Sequence, residues 1–290
     1  MFHFDVSEFP RALSVGAELT DGRWRGEAWT ARRAFDFNSI AGIYYRRPTI
    51  FEFHPDLSPE ERRWAGIEAR LGFGGVLAAQ EAWLNHPHHI GYAEYKPVQL
   101  QIASRCGFQV PRTYVGNDPK SARVFVESLD RAVYKPFGGA GVTDIDGARQ
   151  VFASFVTSEQ VDNDNFIQTM HMLQQWIPKS YDVRLTAVDQ QCFAVRIDAT
   201  TDEAHVDWRS DYQALKYSII EVPDTVISQV QEFMRQLRLR FGAFDFVVRP
   251  DGNWVFLECN ANGQWAWIEE ETGVPIAAAL ADALEGDRPA

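Results

Sequence analysis

The sequence predicts an α+β fold, and three observations carry that prediction. The segment Gly242 to Gln264, GAFDFVVRPDGNWVFLECNANGQ, places two aromatic-rich apolar runs around Pro250-Asp251-Gly252-Asn253. An Asp-Gly pair between such runs is the strongest short hairpin signal. Residues Asp224 to Phe241, just before it, space Val226, Val230, Phe233, Met234 and Leu237 as the apolar stripe of a helix. Between Arg112 and Val188, strand-like and helix-like runs alternate.

The elements follow in chain order. Ala41 to Tyr45, AGIYY, reads as a strand that ends at Arg46-Arg47-Pro48. Phe2 to Pro10 reads as part of another strand. A long helix starts at Ser58-Pro59-Glu60-Glu61, where Ser caps and Pro fills the first turn. Asn85 to Gly91, NHPHHIG, is a connector whose histidines suit a turn better than a metal. A second helix runs from about Glu94 to Arg105, with Lys96 and Pro97 at its start, Val98 and Ile102 in its stripe and Gly107 as its stop. Arg112 to Val115 is a strand, a helix follows Asp118-Pro119, and Ala132 to Pro136 is a strand carrying Lys135. Met172 to Val188 reads as a strand, a short excursion and a second strand.

With 290 residues, 46% of them hydrophobic, the chain can bury a large core and form two or three subdomains. It contains no apolar run long enough to span a membrane, and MFHFDVSEFP lacks the regions of a signal peptide, so a cytoplasmic protein without membrane contact is expected. Cys106, Cys192 and Cys259 are odd in number and widely spaced, which fits neither a disulfide framework nor a zinc site. A net charge of −12 argues against nucleic acid as a partner, so any bound anion must be held locally.

The chemistry concentrates in the hairpin. A two-residue loop at Asp251-Gly252 sets Asp245 directly opposite Glu258, with Asn260 two residues on along the same face. Like charges placed across a strand pair repel. A hard cation with oxygen ligands, such as Mg2+ with bridging phosphates, would relieve that repulsion. Phe244, Phe246, Val248, Val255, Leu257 and Cys259 would then form the opposite, apolar face, covered by the preceding helix. Lys135 stands just before Phe137-Gly138-Gly139-Ala140-Gly141, a loop whose backbone N–H groups can approach a phosphate while the lysine supplies charge. The loop does not match the GxxxxGK[ST] pattern. Asp182 and Arg184 share one strand face, as an ion pair or as a phosphoryl-binding arginine. Arg196, Asp207 and Arg209 add charge near strand ends, where Arg209 can also pair with Asp207 or Asp211.

The order Lys96, Lys135, Gln174-Gln175-Trp176-Ile177, Asp182-x-Arg184, Asp245, Glu258-x-Asn260 resembles the ATP-grasp superfamily. The phrases YRRP (Tyr45 to Pro48), AEYKPVQLQIA (Ala93 to Ala103), QQWIPKSYDVRLTAV (Gln174 to Val188), DWR (Asp207 to Arg209) and ECNANGQWAWIE (Glu258 to Glu269) resemble graspetide synthetases, the microviridin-type ligases of ribosomal peptides. The resemblance implies an ATP-grasp fold of two α+β subdomains that clasp ATP. These would be residues 91–173, the lid side, and 174–290, with the metal site, behind a pre-ATP-grasp α/β subdomain in residues 1–90. It implies ATP and two Mg2+ ions as cofactors, a ribosomal precursor peptide with leader and core as partner, and a homodimer.

Residue by residue, Lys96, Lys135, Gly138 and Gly139 would meet the ATP phosphates. Gln174 would lead into a hinge of Gln175, Trp176 and Ile177 whose backbone reads adenine, with Lys179 and Asp182 near the nucleoside. Asp245, Glu258 and Asn260 would bind Mg2+, Arg184 would hold the phosphoryl group, Arg196 and Arg209 would meet the substrate carboxylate, and Asn262 would border the acceptor. The implied reaction activates an Asp or Glu side chain of the peptide as an acyl phosphate, which a Thr, Ser or Lys side chain then displaces to close an ester or amide ring. The alternatives are an ATP-grasp ligase that joins free amino acids or modifies a protein C-terminus, and a non-catalytic peptide-binding partner. Two departures stand out: relatives begin with a strand and helix ahead of the segment matching Phe2 to Pro10, so an incomplete N-terminal subdomain is expected, and the glycine loop is short.

Overall fold

Two compact units make up the computed structural model: residues up to Ile90 together with those from Ala278 onward, and Gly91–Ala277. Residues 2–46, 49–138, 142–144, 147–149 and 152–286 are described.

In the first unit, β1 (Ser14–Thr20), β2 (Arg23–Trp29) and β3 (Ala34–Asp36) form an antiparallel sheet. Its first turn is Asp21-Gly22, both with positive φ (53 and 75), the conformation that matches strand twist in a two-residue hairpin. The helix α1 (Pro59–Ala78) begins as read, with a reciprocal capping box between Ser58 and Glu61. Leu13, Ala28, Phe37 and Phe73 form the core, ringed by Phe4, Phe9, Phe35 and Phe51. Phe2 to Pro10 is not a strand. Asp5 and Glu8 form a capping box around a 3-10 turn, Val6–Glu8, because their side chains satisfy local N–H groups that a strand would need to pair elsewhere. Ala41 to Tyr45 is reduced to one parallel bridge, Ile43 with Trp83. Gly42 lies so near Leu284 that a Cβ there would come within 2.7 Å of the Leu284 carbonyl oxygen.

The second unit holds two larger sheets. Helices α2 (Pro87–Ala93) and α3 (Lys96–Arg105) lead into β4 (Thr113–Gly116), α4 (Pro119–Glu127) and β5 (Ala132–Lys135). The short pair β6 (Val142–Asp144) and β7 (Gly147–Arg149) precedes β8 (Ser154–Val156), α5 (Ser158–Val161) and β9 (His171–Gln175). Strands β4, β9, β5 and β8, in that order, form one antiparallel sheet. Then come β10 (Tyr181–Val188), β11 (Gln191–Ala199), α6 (Asp202–Val206), β12 (Leu215–Ile220), α7 (Asp224–Leu237), β13 (Phe241–Val248) and β14 (Trp254–Asn260), with α8 (Ala266–Thr272) last; most of α9 (Ile276–Glu285) belongs to the first unit. The larger sheet runs β12-β11-β10-β13-β14, so β14 is an edge strand.

α7 ends at Leu237, earlier than Phe241, because Arg238 adopts the left-handed conformation that closes a helix. Its Phe233 packs on Phe244 and Phe256 of the sheet, with Phe108 alongside. Burying aromatic side chains of this size contributes about 1.5–3 kcal/mol each, so this face anchors the sheet that carries the site.

The β13–β14 hairpin departs from a two-residue loop. Val248 pairs with Trp254 and the Arg249 N–H donates to the Asn253 carbonyl, which leaves Pro250, Asp251 and Gly252 in the turn. A β-bulge between the pairs Asp245↔Glu258 and Phe246↔Phe256 takes up the extra residue. The two offsets cancel, and Asp245 still faces Glu258. The assignment of faces changes between turn and bulge: Phe256 joins the aromatic core, while Val255 and Leu257 cluster with Ile177 and Val247. A bulge turns the residues of its own strand between itself and the turn to the other face, while Phe246 on β13 stays with Phe244 in the aromatic core.

Candidate functional site

One face of the larger sheet gathers the charged residues. The register pairs Asp182 with Val247, Arg184 with Asp245, and Asp245 with Glu258, and residues directly opposite share a face. The bulge presents two consecutive residues, Leu257 and Glu258, to the same cleft. That cleft is also lined by Lys135, Gln174, Gln175, Trp176, Ile177, Lys179, Asp207 and Arg209.

Three cations pair with three carboxylates, and a fourth, Lys135, lines the same cleft. Arg184 Nη1 reaches Asp245 Oδ1 at 2.9 Å, both side chains buried. Lys96, the first residue of α3, reaches Glu258 Oε2 at 2.5 Å. Arg209 Nη2 contacts Asp245 Oδ2 and lies 2.8 Å from Glu258 Oε1, so one guanidinium nitrogen stands between the two carboxylates. The same guanidinium lies 3.4 Å from Asp207 Oδ1 and 4.7 Å from the centre of the Trp208 ring. Lys135 Nζ donates to Gln174 Oε1 at 3.2 Å. Burial lowers the Lys135 pKa to about 8, with Lys96 and Arg209 adding repulsion and Glu258 opposing.

Burial raises the Asp245 carboxyl, and the nearby Glu258 charge adds to the effect. At Glu258, burial is overcome by Lys96, Arg209 and Lys135, which hold its carboxyl well below the usual range. Asp182 is pushed up to about 6 by burial even though Lys179 lies 2.7 Å away.

The donor set fits a hard divalent cation. Two carboxylates and a carboxamide supply oxygen ligands, and Asn260 Nδ2 already donates to Asp245 Oδ2 at 3.3 Å. Among the described residues no group of three or more His, Cys, Asp or Glu is gathered for a metal. The third oxygen donor beside the two carboxylates would come from the Asn260 carboxamide. Arg184 Nε is buried without a hydrogen-bond partner, as is Thr186 Oγ1 two residues along the same strand face. An orphaned buried donor costs about 1–3 kcal/mol, and an anion in the cleft would relieve that at Arg184.

The hinge stretch lies where the two sheets meet. The Gln175 N–H donates to Arg112 O and the Trp176 N–H to Arg131 O, so these two groups are engaged with the backbone. Ile177 packs with Val247, Val255 and Leu257 as an apolar wall, and Lys179 Nζ lies 5.3 Å from the centre of the Trp176 ring. Asn262 follows in the turn closed by the Gly263 N–H and Asn260 O; a Cβ on Gly263 would strike Ala243, so only glycine fits there. Gly138 is exposed after β5, and Gly139 lies outside the described residues.

Arg196 is not brought to this site. It pairs with Val183, on the sheet face opposite Arg184, forms a two-pronged ion pair with Asp198 and stacks 4.0 Å over Tyr181. Strand parity within β11 becomes visible only once its register against β10 is known, which is why the sequence grouped it with Arg209. The sequence reading passed over Gln99, a buried amide bonded to both backbone groups of Cys259. Its signal was a polar residue three positions after Lys96 inside an apolar helix stripe.

No family model matches the chain, and no curated protein matches it. Solved structures do. A RiPP-associated ATP-grasp ligase of Chryseobacterium gregarium, in complex with ADP and a leader and core peptide, superposes with TM-score 0.91 and 26% identity, covering 99% of this chain and 88% of that one. Macrocyclase MdnC, bound with precursor peptide MdnA from Microcystis aeruginosa MRC, gives 0.86 and 26%, covering 98% and 90%. ATP-grasp ligase PsnB, complexed with a phosphomimetic variant of its minimal precursor, Mg and ADP, gives 0.73 and 24%, covering 97% and 88%. The fold is that of ATP-grasp ligases, and the chain resembles those that act in ribosomal peptide maturation.

Proposed function

We propose that this protein, with its ATP-grasp ligase fold, is an ATP-dependent ligase that joins side chains within a ribosomal precursor peptide. The observation that carries the reading is the pairing of Asp245 with Glu258 across β13 and β14, beside Asn260 and under Lys96, Lys135, Arg184 and Arg209. Such a cluster suits a reaction in which two anions must meet. Asp245, Glu258 and Asn260 would hold Mg2+, which when bound would offset phosphate charge during transfer.

The chain's own residues account for the rest. Lys96 and Lys135 would bind the phosphates, and the Ile177–Val247–Leu257 wall would receive the base, with the Ile177 N–H as the hinge donor because those of Gln175 and Trp176 are engaged. Arg184, through its orphaned Nε, and Arg209 would orient the substrate carboxylate against the γ-phosphate. A carboxylate oxygen attacks phosphorus, the bond to ADP breaks, and an acyl phosphate forms. A hydroxyl or amine of the same peptide then attacks the acyl carbon, loses its proton and displaces phosphate. The net change in the peptide is loss of one water per linkage.

Intact-mass measurement tests this directly. A Thr- and Glu/Asp-rich precursor peptide, incubated with this protein, ATP and Mg2+, is expected to lose one water per linkage while ADP accumulates. Glu258→Gln should lower that rate by about 10²–10³-fold, the scale for losing a key charge-stabilising group. ADP release that depends on an added free amino acid and not on the peptide, without mass loss, would overturn the peptide reading.

A further inference from the structure

Helix α3 sends two side chains to β14, and only the first is charged. Lys96 reaches the Glu258 carboxylate. Gln99 follows three residues later on the same helix face and is buried, at 3% exposure. Its carboxamide makes the two bonds a neighbouring strand would make. Cys259 N–H donates to Oε1 at 2.7 Å, and Nε2 donates to the Cys259 carbonyl at 2.8 Å and also to that of Ala93.

β14 is an edge strand, so its outward backbone groups need partners from elsewhere. The Gln109 carbonyl serves the Phe256 N–H at 2.8 Å, and Gln99 serves Cys259. The bulge residue Leu257 lies between these two anchors. Were the bulge lost by a one-residue slip, Glu258 would pair with Phe244 and change its side of the strand, and the Cys259 amide would no longer face α3. The Gln99 bonds oppose that movement.

We infer that Gln99 is a positioning residue for the metal and phosphate site. It fixes the Cys259 peptide, and so holds Glu258 and Asn260, the residues on either side, in register with Lys96 on its own helix. The inference rests on the proposed role of Asp245, Glu258 and Asn260 as metal ligands. Gln99 touches neither substrate nor metal; its effect passes through the backbone of β14.

The test is Mn2+ binding to the full-length chain in the presence of ADP, followed by the EPR signal of free Mn2+. Gln99→Met keeps the side-chain size and removes all three bonds. It is expected to weaken Mn2+ binding about 10- to 100-fold, the range for residues that orient metal ligands. Gln99→Glu keeps an acceptor for the Cys259 N–H and should weaken binding less than Gln99→Met. Ile102→Ala, a buried change on the same helix without a hydrogen bond to β14, should lower the melting temperature and leave Mn2+ affinity within about twofold, since large-to-small core changes act on stability. Wild-type affinity in Gln99→Met, or an equal loss in Ile102→Ala, overturns the inference. If Gln99→Met does not fold, wild-type affinity in Gln99→Glu overturns it equally. Failure of the wild-type protein to bind Mn2+ with ADP present would instead overturn the metal site itself.

Discussion

Two hairpins in this molecule turn on Asp-Gly, and they are built differently. The β1–β2 hairpin has Asp21-Gly22 as a two-residue turn, and its register runs unbroken from Thr20↔Arg23 to Ser14↔Trp29. One face is half-buried and the other exposed. The β13–β14 hairpin has one more residue in its turn and a bulge at Leu257, and every residue of β13 is buried. The regular hairpin can shed its side chains into water on one face. The irregular one must satisfy an aromatic core on one face and a charged cluster on the other, and its bulge places an apolar residue and a carboxylate side by side in the cleft.

The largest test of that difference is the buried charge. Arg184→Met removes the more deeply buried of the two arginines paired with Asp245 and should cost about 3–5 kcal/mol, read as a lower urea midpoint. Arg25→Met in the exposed hairpin, whose partner Asp21 is largely solvated, should cost no more than about 1 kcal/mol. Equal losses would mean that the two hairpins carry charge in the same way. A smaller effect has the opposite sign. Arg209→Gln removes the nitrogen standing between Asp245 and Glu258 and should tighten Mn2+ binding about tenfold, or about 1.4 kcal/mol, while slowing ligation. Weaker Mn2+ binding would show that Arg209 supports the metal ligands instead of occupying their place.

Smaller still are the turns. Gly22→Ala and Gly252→Ala both place a Cβ at positive φ with nothing within 4 Å, so each should cost about 1 kcal/mol of backbone strain alone. If Gly252→Ala also abolishes ADP binding, the turn, and not the bulge, sets the site register. The last effect is a fraction of a proton. The folded Lys135 pKa is depressed to about 8 from 10.5, so the stability tied to its neutral form is present above pH 10.5 and is lost as pH falls through 8. Phosphate anions favour the charged form, so ADP binding near pH 8 should take up part of a proton. Calorimetry in buffers of different ionisation enthalpy would detect this, and Lys135→Gln should abolish it.

Much of the site was legible in local pattern. Ser58-Pro59 marked α1, the apolar spacing marked α7, and the Asp-Gly signal with its flanking runs marked the hairpin whose carboxylates face each other. The same Asp-Gly signal is present at Asp21-Gly22, between the more polar flanks Glu18 to Thr20 and Arg23 to Arg25. Arg209 was ambiguous for a physical reason: it contacts Asp207 and the two site carboxylates at once.

By itself the sequence determined the α+β class and the residues that carry charge, because propensity, capping and period act over a few residues. Tertiary structure decided which of them share a face. A strand's two faces differ by one residue of register, and that register depends on partners far along the chain. It placed Arg196 away from Arg184, turned Leu257 toward the cleft beside Glu258, and set Gln99 against a peptide 160 residues away.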